Sequence, residues 1–132
     1  QVPGASDVVT SGLVTYANEA KTHLASVDPA LIETQGAVSE DVAVAMAHGG
    51  LQADYVDICV SLTGVAGPIN ESDSDTNTKP AGLVWLAAAL QTPEGTALMT
   101  HKCEFGDIGR EAVRLASVAA ALDLMNELLD SA

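Results

Sequence analysis

Aromatic residues make up only 3% of this 132-residue chain, with one Phe, one Trp and two Tyr, against 48% hydrophobic residues overall. Its core must be filled by Ala, Val and Leu, a composition that suits a packed α/β domain and argues against disorder. Positive charge is also scarce: Lys and Arg number 5 against 18 Asp and Glu, for a net charge of −13. A duplex-binding surface needs many phosphate contacts, so nucleic acid is excluded as a partner. Cysteine is limited to Cys59 and Cys103, without a CxxC motif, and both read as reduced core thiols rather than a disulfide framework. No membrane-length apolar run and no charged-then-apolar leader are found, which points to a cytoplasmic protein away from membranes. His23, His48 and His101 show no ligand spacing, and "ESDSD", Glu71 to Asp75, lacks the glycine and closing glutamate of a calcium loop. Neither a metal nor a cofactor is expected.

Residues 1–132 are enough for one domain with a real core. "GLVTYAN", Gly12 to Asn18, alternates and is rich in β-formers, which predicts a strand. "EAKTHLASV" predicts a short helix, and "PALIETQG", opening on Pro29 and closing on Gly36, another. In "SEDVAVAMAHGGLQA", Ser39 reads as N-cap, Glu40 and Asp41 as first-turn acids, and Val42, Ala45, Met46 and Gly49 as one face. "DYVDICVSL" predicts a buried strand. "GLVWLAAAL" and "TALMTHKCEF", joined by "TPEG", predict a hairpin. "GREAVRLASVAAALDLMNELLDS" predicts a long amphipathic helix with Val113, Ala116, Ala120, Leu124 and Leu128 near one face. This order predicts a three-layer α/β/α fold whose mixed, mainly parallel sheet contains the hairpin. Ligands of such sheets bind where strand ends and loops converge. The long small-residue loop from Thr63 to Gly82, acidic over 69–78, lies at such an end and is expected to wall a small-molecule pocket.

Four stretches could carry chemistry. Tyr16 ends the first predicted strand and Lys21 lies one turn into the following helix. A partly desolvated lysine can act as a base, and a phenol can relay a proton. From spacing alone the plainer reading is favoured, a half-buried tyrosine and a solvated lysine. In "TGVAGP", Thr63 offers a hydroxyl, and Gly64 and Gly67 would let backbone N–H groups face a ligand; a simple strand-exit turn also needs these residues. Lys79, before Pro80, is held extended and suits a phosphate or carboxylate. Arg110 and Arg114 share a helix face at i, i+4, which costs stability unless an anion or an acid such as Glu111 or Asp107 sits between them.

Together, "VPGAS", "GLVTYANEAK", "QGAVSEDVAVAMA", "SLTGVAGP", "KPAGLVW" and "GREAVR…AALDLM" occur in the order and spacing of the C-terminal domain of the competence/damage-inducible CinA proteins, which the chain resembles from Val2 to near its end. Stand-alone relatives in that family are nicotinamide-nucleotide amidases. The resemblance implies a three-layer α/β/α domain and hydrolysis of the carboxamide of nicotinamide mononucleotide to a carboxylate plus ammonia; apolar sheet surface left by an absent strand and helix would be covered by another chain, so a homo-oligomer is expected. It assigns Tyr16, Asn18 and Lys21 to a "YSNEAK"-type block at the catalytic centre, with Lys21 as base. It assigns Thr63 and Tyr16 to proton relay or orientation, Gly64 and Gly67 to a "TGIAGP"-type block with backbone donors near the oxyanion, and Arg110, Arg114 or Lys79 to the phosphate. The family's "TAESCTGG"-type segment, whose serine is its proposed nucleophile, does not occur among these residues. Ser11 stands where the family has Gly and is not promoted to that role. The expectation is a chain N-terminally incomplete relative to the family. The alternatives are a non-catalytic nucleotide- or partner-binding domain, or a plain fragment folded only with a missing piece or in an oligomer. The loop after Pro68 is longer and more acidic than the family's, and Ile108 and Gly109 are inserted before Arg110.

Overall fold

The computed structural model describes residues 2–68 and 79–132. A single 3-10 turn, Ala5–Asp7, precedes three helices, α1 (Asn18–Ala25), α2 (Pro29–Gln35) and α3 (Glu40–Gly50). Strands β1 (Ile58–Gly64), β2 (Leu83–Thr92) and β3 (Gly95–Glu104) follow, and α4 (Arg110–Ser131) closes the chain. Local chemistry sets several of these boundaries. The Asp28 carboxylate accepts from the Ala30 N–H at 2.9 Å, and Pro29 occupies the first turn of α2. Ser39 Oγ accepts from the Val42 N–H at 3.3 Å and caps α3, ahead of Glu40 and Asp41.

The sheet has order β1-β2-β3 and is antiparallel throughout, with Ser61 opposite Ala87 and Ala88 opposite Met99. Central strand β2 is covered on both faces. Val84, Leu86, Ala88 and Leu90 pack with Val113, Ala121, Leu124 and Leu128 of α4. Ala87 and Ala89 pack with Ala43 and Ala47 of α3 and with Leu51. The run Ala87, Ala88, Ala89 is fully buried, and its small side chains let a helix approach from either side. Burial leaves Cys59 and Cys103 as free thiols whose pKa is pushed up, as inert core cysteines are. Among the described residues no helix is long and apolar enough to cross a membrane.

Two expectations are corrected. The sheet is antiparallel, not mainly parallel, because the strand predicted over Gly12 to Asn18 does not form: residues 8–16 are irregular and α1 already begins at Asn18. β-propensity describes how well a segment fits a pleated surface and cannot supply the neighbour whose hydrogen bonds make a strand. Val8, Val9, Leu13 and Val14 of this segment stay exposed. What remains of the sheet is connected by a loop and a tight turn, which produce antiparallel pairs.

The missing pairing leaves β1 with one open edge. Val65 donates to Leu83 O and accepts from Gly82 N–H, and Asp57 O accepts from Gln91 N–H, so the odd-numbered residues of this stretch direct their backbone groups toward β2. Alternation then turns the N–H and C=O groups of Ile58, Val60, Leu62 and Gly64 outward, away from the sheet.

Candidate active site

The outward edge of β1 forms one wall of a cleft of about 1090 Å³. The irregular segment Val8–Ala17, the start of α1, the Gly36–Val38 turn, Lys79, Arg110 and Arg114 line the same cleft. The volume lies just above the usual range for small-molecule sites. Its electrostatics invert those of the molecule. Four of the five Lys and Arg residues line it, Lys21, Lys79, Arg110 and Arg114. Of the 18 acidic residues, Glu71, Asp73 and Asp75 lie outside the described residues, and among the rest only Glu19 lines it. The described residues hold one ion pair, Lys102 to Glu104 at 3.1 Å, remote from the cleft on β3. Neither Glu111 nor Asp107 therefore balances the two arginines. The N-terminus of α4 adds positive partial charge to the same wall, since its N-cap is Gly109, which brings no capping side chain.

The plainer reading of the Tyr16–Lys21 stretch is reversed on both counts. Tyr16 is 95% exposed at the mouth of the cleft, whereas Lys21 is 7% exposed. The Lys21 ammonium donates to Thr15 O at 2.6 Å, and burial lowers its pKa below the ordinary lysine value. A lysine held this way has more of its neutral, proton-accepting form at a given pH than a solvated one. Asn18 is half-buried in the first turn of α1 and faces the same space.

Across the cleft, Thr63 is 6% exposed and its hydroxyl donates to Ala37 O at 2.6 Å. That bond pins the turn between α2 and α3 to the end of β1. Two residues earlier, Ser61 ties α3 itself to β1, donating to Ala43 O at 2.5 Å from a buried position. A Cβ on Gly64 would stand 2.8 Å from Leu83 O and 2.7 Å from Val84 Cγ2, so the close approach of β2 is what requires this glycine. Its N–H nonetheless faces the cleft. Gly67 is buried beneath Arg110, and the Arg110 guanidinium donates to Pro68 O at 3.3 Å. Lys79 is half-buried, and Arg114 is exposed one turn beyond Arg110. Every residue assigned to the site from sequence thus lines one cleft. Residues 69–78, expected to complete its wall, lie outside the described residues. Sequence reasoning missed the Thr15 carbonyl, the Ser61 tie and the contact of Gly67 with Arg110, for which no spacing signal exists. Among the described residues no group of His, Cys, Asp or Glu could hold a metal ion.

By fold and site this is an α/β domain with a cation-lined cleft beside an open sheet edge. It belongs to the CinA C-terminal domain family, whose model matches residues 1–129. A CinA-like protein of Mycobacterium avium strain 104 is 43% identical over 130 residues, 98% of this chain but 29% of that protein. The nicotinamide-nucleotide amidohydrolase PncC of Escherichia coli K12 is 40% identical over 124 residues, 94% of this chain and 70% of that protein. The chain thus spans less than a third of the CinA-like relative. The crystal structure of competence/damage inducible protein CihA from Agrobacterium tumefaciens superposes with a TM-score of 0.85 at 40% identity, covering 96% of this chain and 73% of that one.

Proposed function

We propose that the cleft binds nicotinamide mononucleotide and serves its deamidation to nicotinic acid mononucleotide and ammonia. The observation that carries this reading is the concentration of four of the chain's five cationic residues in one cleft. In a chain of net charge −13, such a concentration suits an anion and not a neutral amide alone. The amidohydrolase relative at 40% identity supports the reaction class. In this reading Arg110, Arg114 and Lys79 hold the phosphate, and the outward N–H of Gly64 faces the oxygen that gains charge during attack on the carboxamide. Lys21, the base, takes the proton of the attacking hydroxyl, which its lowered pKa favours. The family's serine hydroxyl is not within these residues, so no residue of this chain is assigned the nucleophilic step. Thr63 orients the end of β1 through Ala37, and Tyr16 closes the cleft mouth over bound substrate. A nucleotide salvage reaction suits a cytoplasmic protein. The exposed apolar row Leu115, Val118, Leu122 and Leu129 along α4 supports a homo-oligomer.

Titration of nicotinamide mononucleotide into the protein, followed by an ammonia-release assay, tests this. Saturable binding is the expected result, with ammonia release, in a protein that carries the family's serine-bearing segment, falling at least ~10²-fold in Lys21→Ala. Binding without release moves the assignment to a nucleotide-binding domain. No binding removes the reading.

A further inference from the structure

We propose that Gly67 is a positioning residue for Arg110, and that this pair makes the cleft discriminate a phosphorylated ligand from its dephosphorylated counterpart; the discrimination rests on the nucleotide reading above, the seating does not. Gly67 is buried, and its φ is not among the left-handed glycine values of the chain. Its backbone conformation therefore does not require glycine. What requires it is space. A Cβ at Gly67 would stand 2.8 Å from Cγ, 3.1 Å from Nε and 3.4 Å from Cζ of Arg110, and all three nearest atoms belong to that one side chain. The Arg110 stem lies in the slot a side chain would fill, and the adjacent Pro68 carbonyl accepts from its guanidinium at 3.3 Å. Arg110 is otherwise exposed, at the first residue of α4. A long exposed side chain holds few rotamers only when something fixes its stem. The slot and the Pro68 carbonyl supply that restraint, leaving the remaining guanidinium N–H groups to meet an anion in a set geometry.

The seat makes a prediction of opposite signs. With Arg110 present, Gly67→Ala displaces the stem and lowers the unfolding midpoint by roughly 3 °C. In an Arg110→Ala background no Cγ, Nε or Cζ remains to be struck, and Gly67→Ala raises the midpoint, because alanine restrains the unfolded chain. Equal effects of Gly67→Ala in both backgrounds overturn the seat, whatever the protein binds. Ligand titrations test the discrimination. Gly67→Ala should weaken nicotinamide mononucleotide about tenfold, leave nicotinamide riboside unchanged, and have no further effect once Arg110 is alanine. Equal weakening of both ligands, or additive losses in the double variant, overturns the positioning role. If the unmodified protein binds no mononucleotide, the nucleotide reading and the discrimination fail together, and the midpoints alone decide the seat.

Discussion

The two edges of the sheet are opposites. The outer edge of β3 carries His101, Lys102 and Glu104 as exposed residues, with Lys102 paired to Glu104 at 3.1 Å and lying 5.7 Å from the Trp85 ring centroid. Charged side chains on an edge deter another strand from pairing with it. The seven residues of β1, Ile58 to Gly64, include no charge at all, although the chain has 18 acidic residues. Instead of guarding its backbone with charged side chains, β1 presents it to a cleft and leaves the charge to Lys21, Lys79, Arg110 and Arg114 around it. One edge is built to be left alone and the other to meet a ligand. Substitutions on the two sides should therefore report on different properties.

The largest expected effect lies behind the cleft. Gly49 of α3 sits where a Cβ would overlap the Ala25 carbonyl of α1, so this glycine sets how closely the helix bearing Lys21 approaches α3. Gly49→Ala must push α1 away and is expected to cost about 3 kcal/mol while also weakening ligand binding. Glu104→Gln, on the guarded edge, breaks the one described ion pair between exposed side chains and should change stability by less than about 0.5 kcal/mol with binding intact. Urea denaturation read beside ligand titration separates the two. A Gly49→Ala protein of unchanged stability would mean that α1 is not held by this contact.

Lys21 comes next. Burial lowers its folded-state pKa from 10.5, so the unfolded chain holds that proton to higher pH. The cost of burying the charge is then present in full below the folded-state value, and stability rises as pH climbs through it toward the unfolded value. Lys21→Met keeps the stem and removes the charge. It should match or exceed the native protein in stability at neutral pH while losing activity, an exchange of function for stability. Denaturation midpoints of both proteins measured up to about pH 10 should converge as the native lysine loses its proton. Parallel curves would show that Lys21 is not desolvated as its position requires.

Much of this architecture is legible in the sequence, for physical reasons that also mark where legibility ends. Capping and turn chemistry is local, so Pro29, Ser39 and the turn at Pro93 and Glu94 announce their elements, while the Asp28 cap went unread. The α4 face is rotated slightly from its expected position, with Ser117 and Ala121 buried where Ala116 and Ala120 were expected; a run this rich in alanine has little contrast from which to read a phase. The segment Gly12 to Asn18 misled because alternation is a local property and pairing is not. The site itself was legible through scarcity. With five cationic residues in 132, each position carries weight, and Lys21, Lys79, Arg110 and Arg114 do converge. The seating of Arg110 on Gly67 joins residues distant in the chain, and no pattern along it announces such a contact.

The smallest expected effect on stability is also the sharpest test of the contrast between edges. Leu62 is 37% exposed on β1, and Leu62→Lys places on the bare edge the kind of charge that guards β3. Its backbone groups and most of its packing are unchanged, so stability should move by no more than about 0.5 kcal/mol. Its association should change far more. An uncharged edge with outward N–H and C=O groups is a template for another strand, and Leu62→Lys should suppress strand-mediated self-association measured by light scattering at rising protein concentration. Glu104→Val, which strips charge from the guarded edge, should do the reverse. Leu122→Glu on the exposed face of α4 separates the remaining route, since association that survives Leu62→Lys and vanishes in Leu122→Glu runs through the helix. If Leu62→Lys and Glu104→Val both leave association untouched, the two edges do not differ in the way their charges imply, and the bare edge of β1 is explained by the cleft alone.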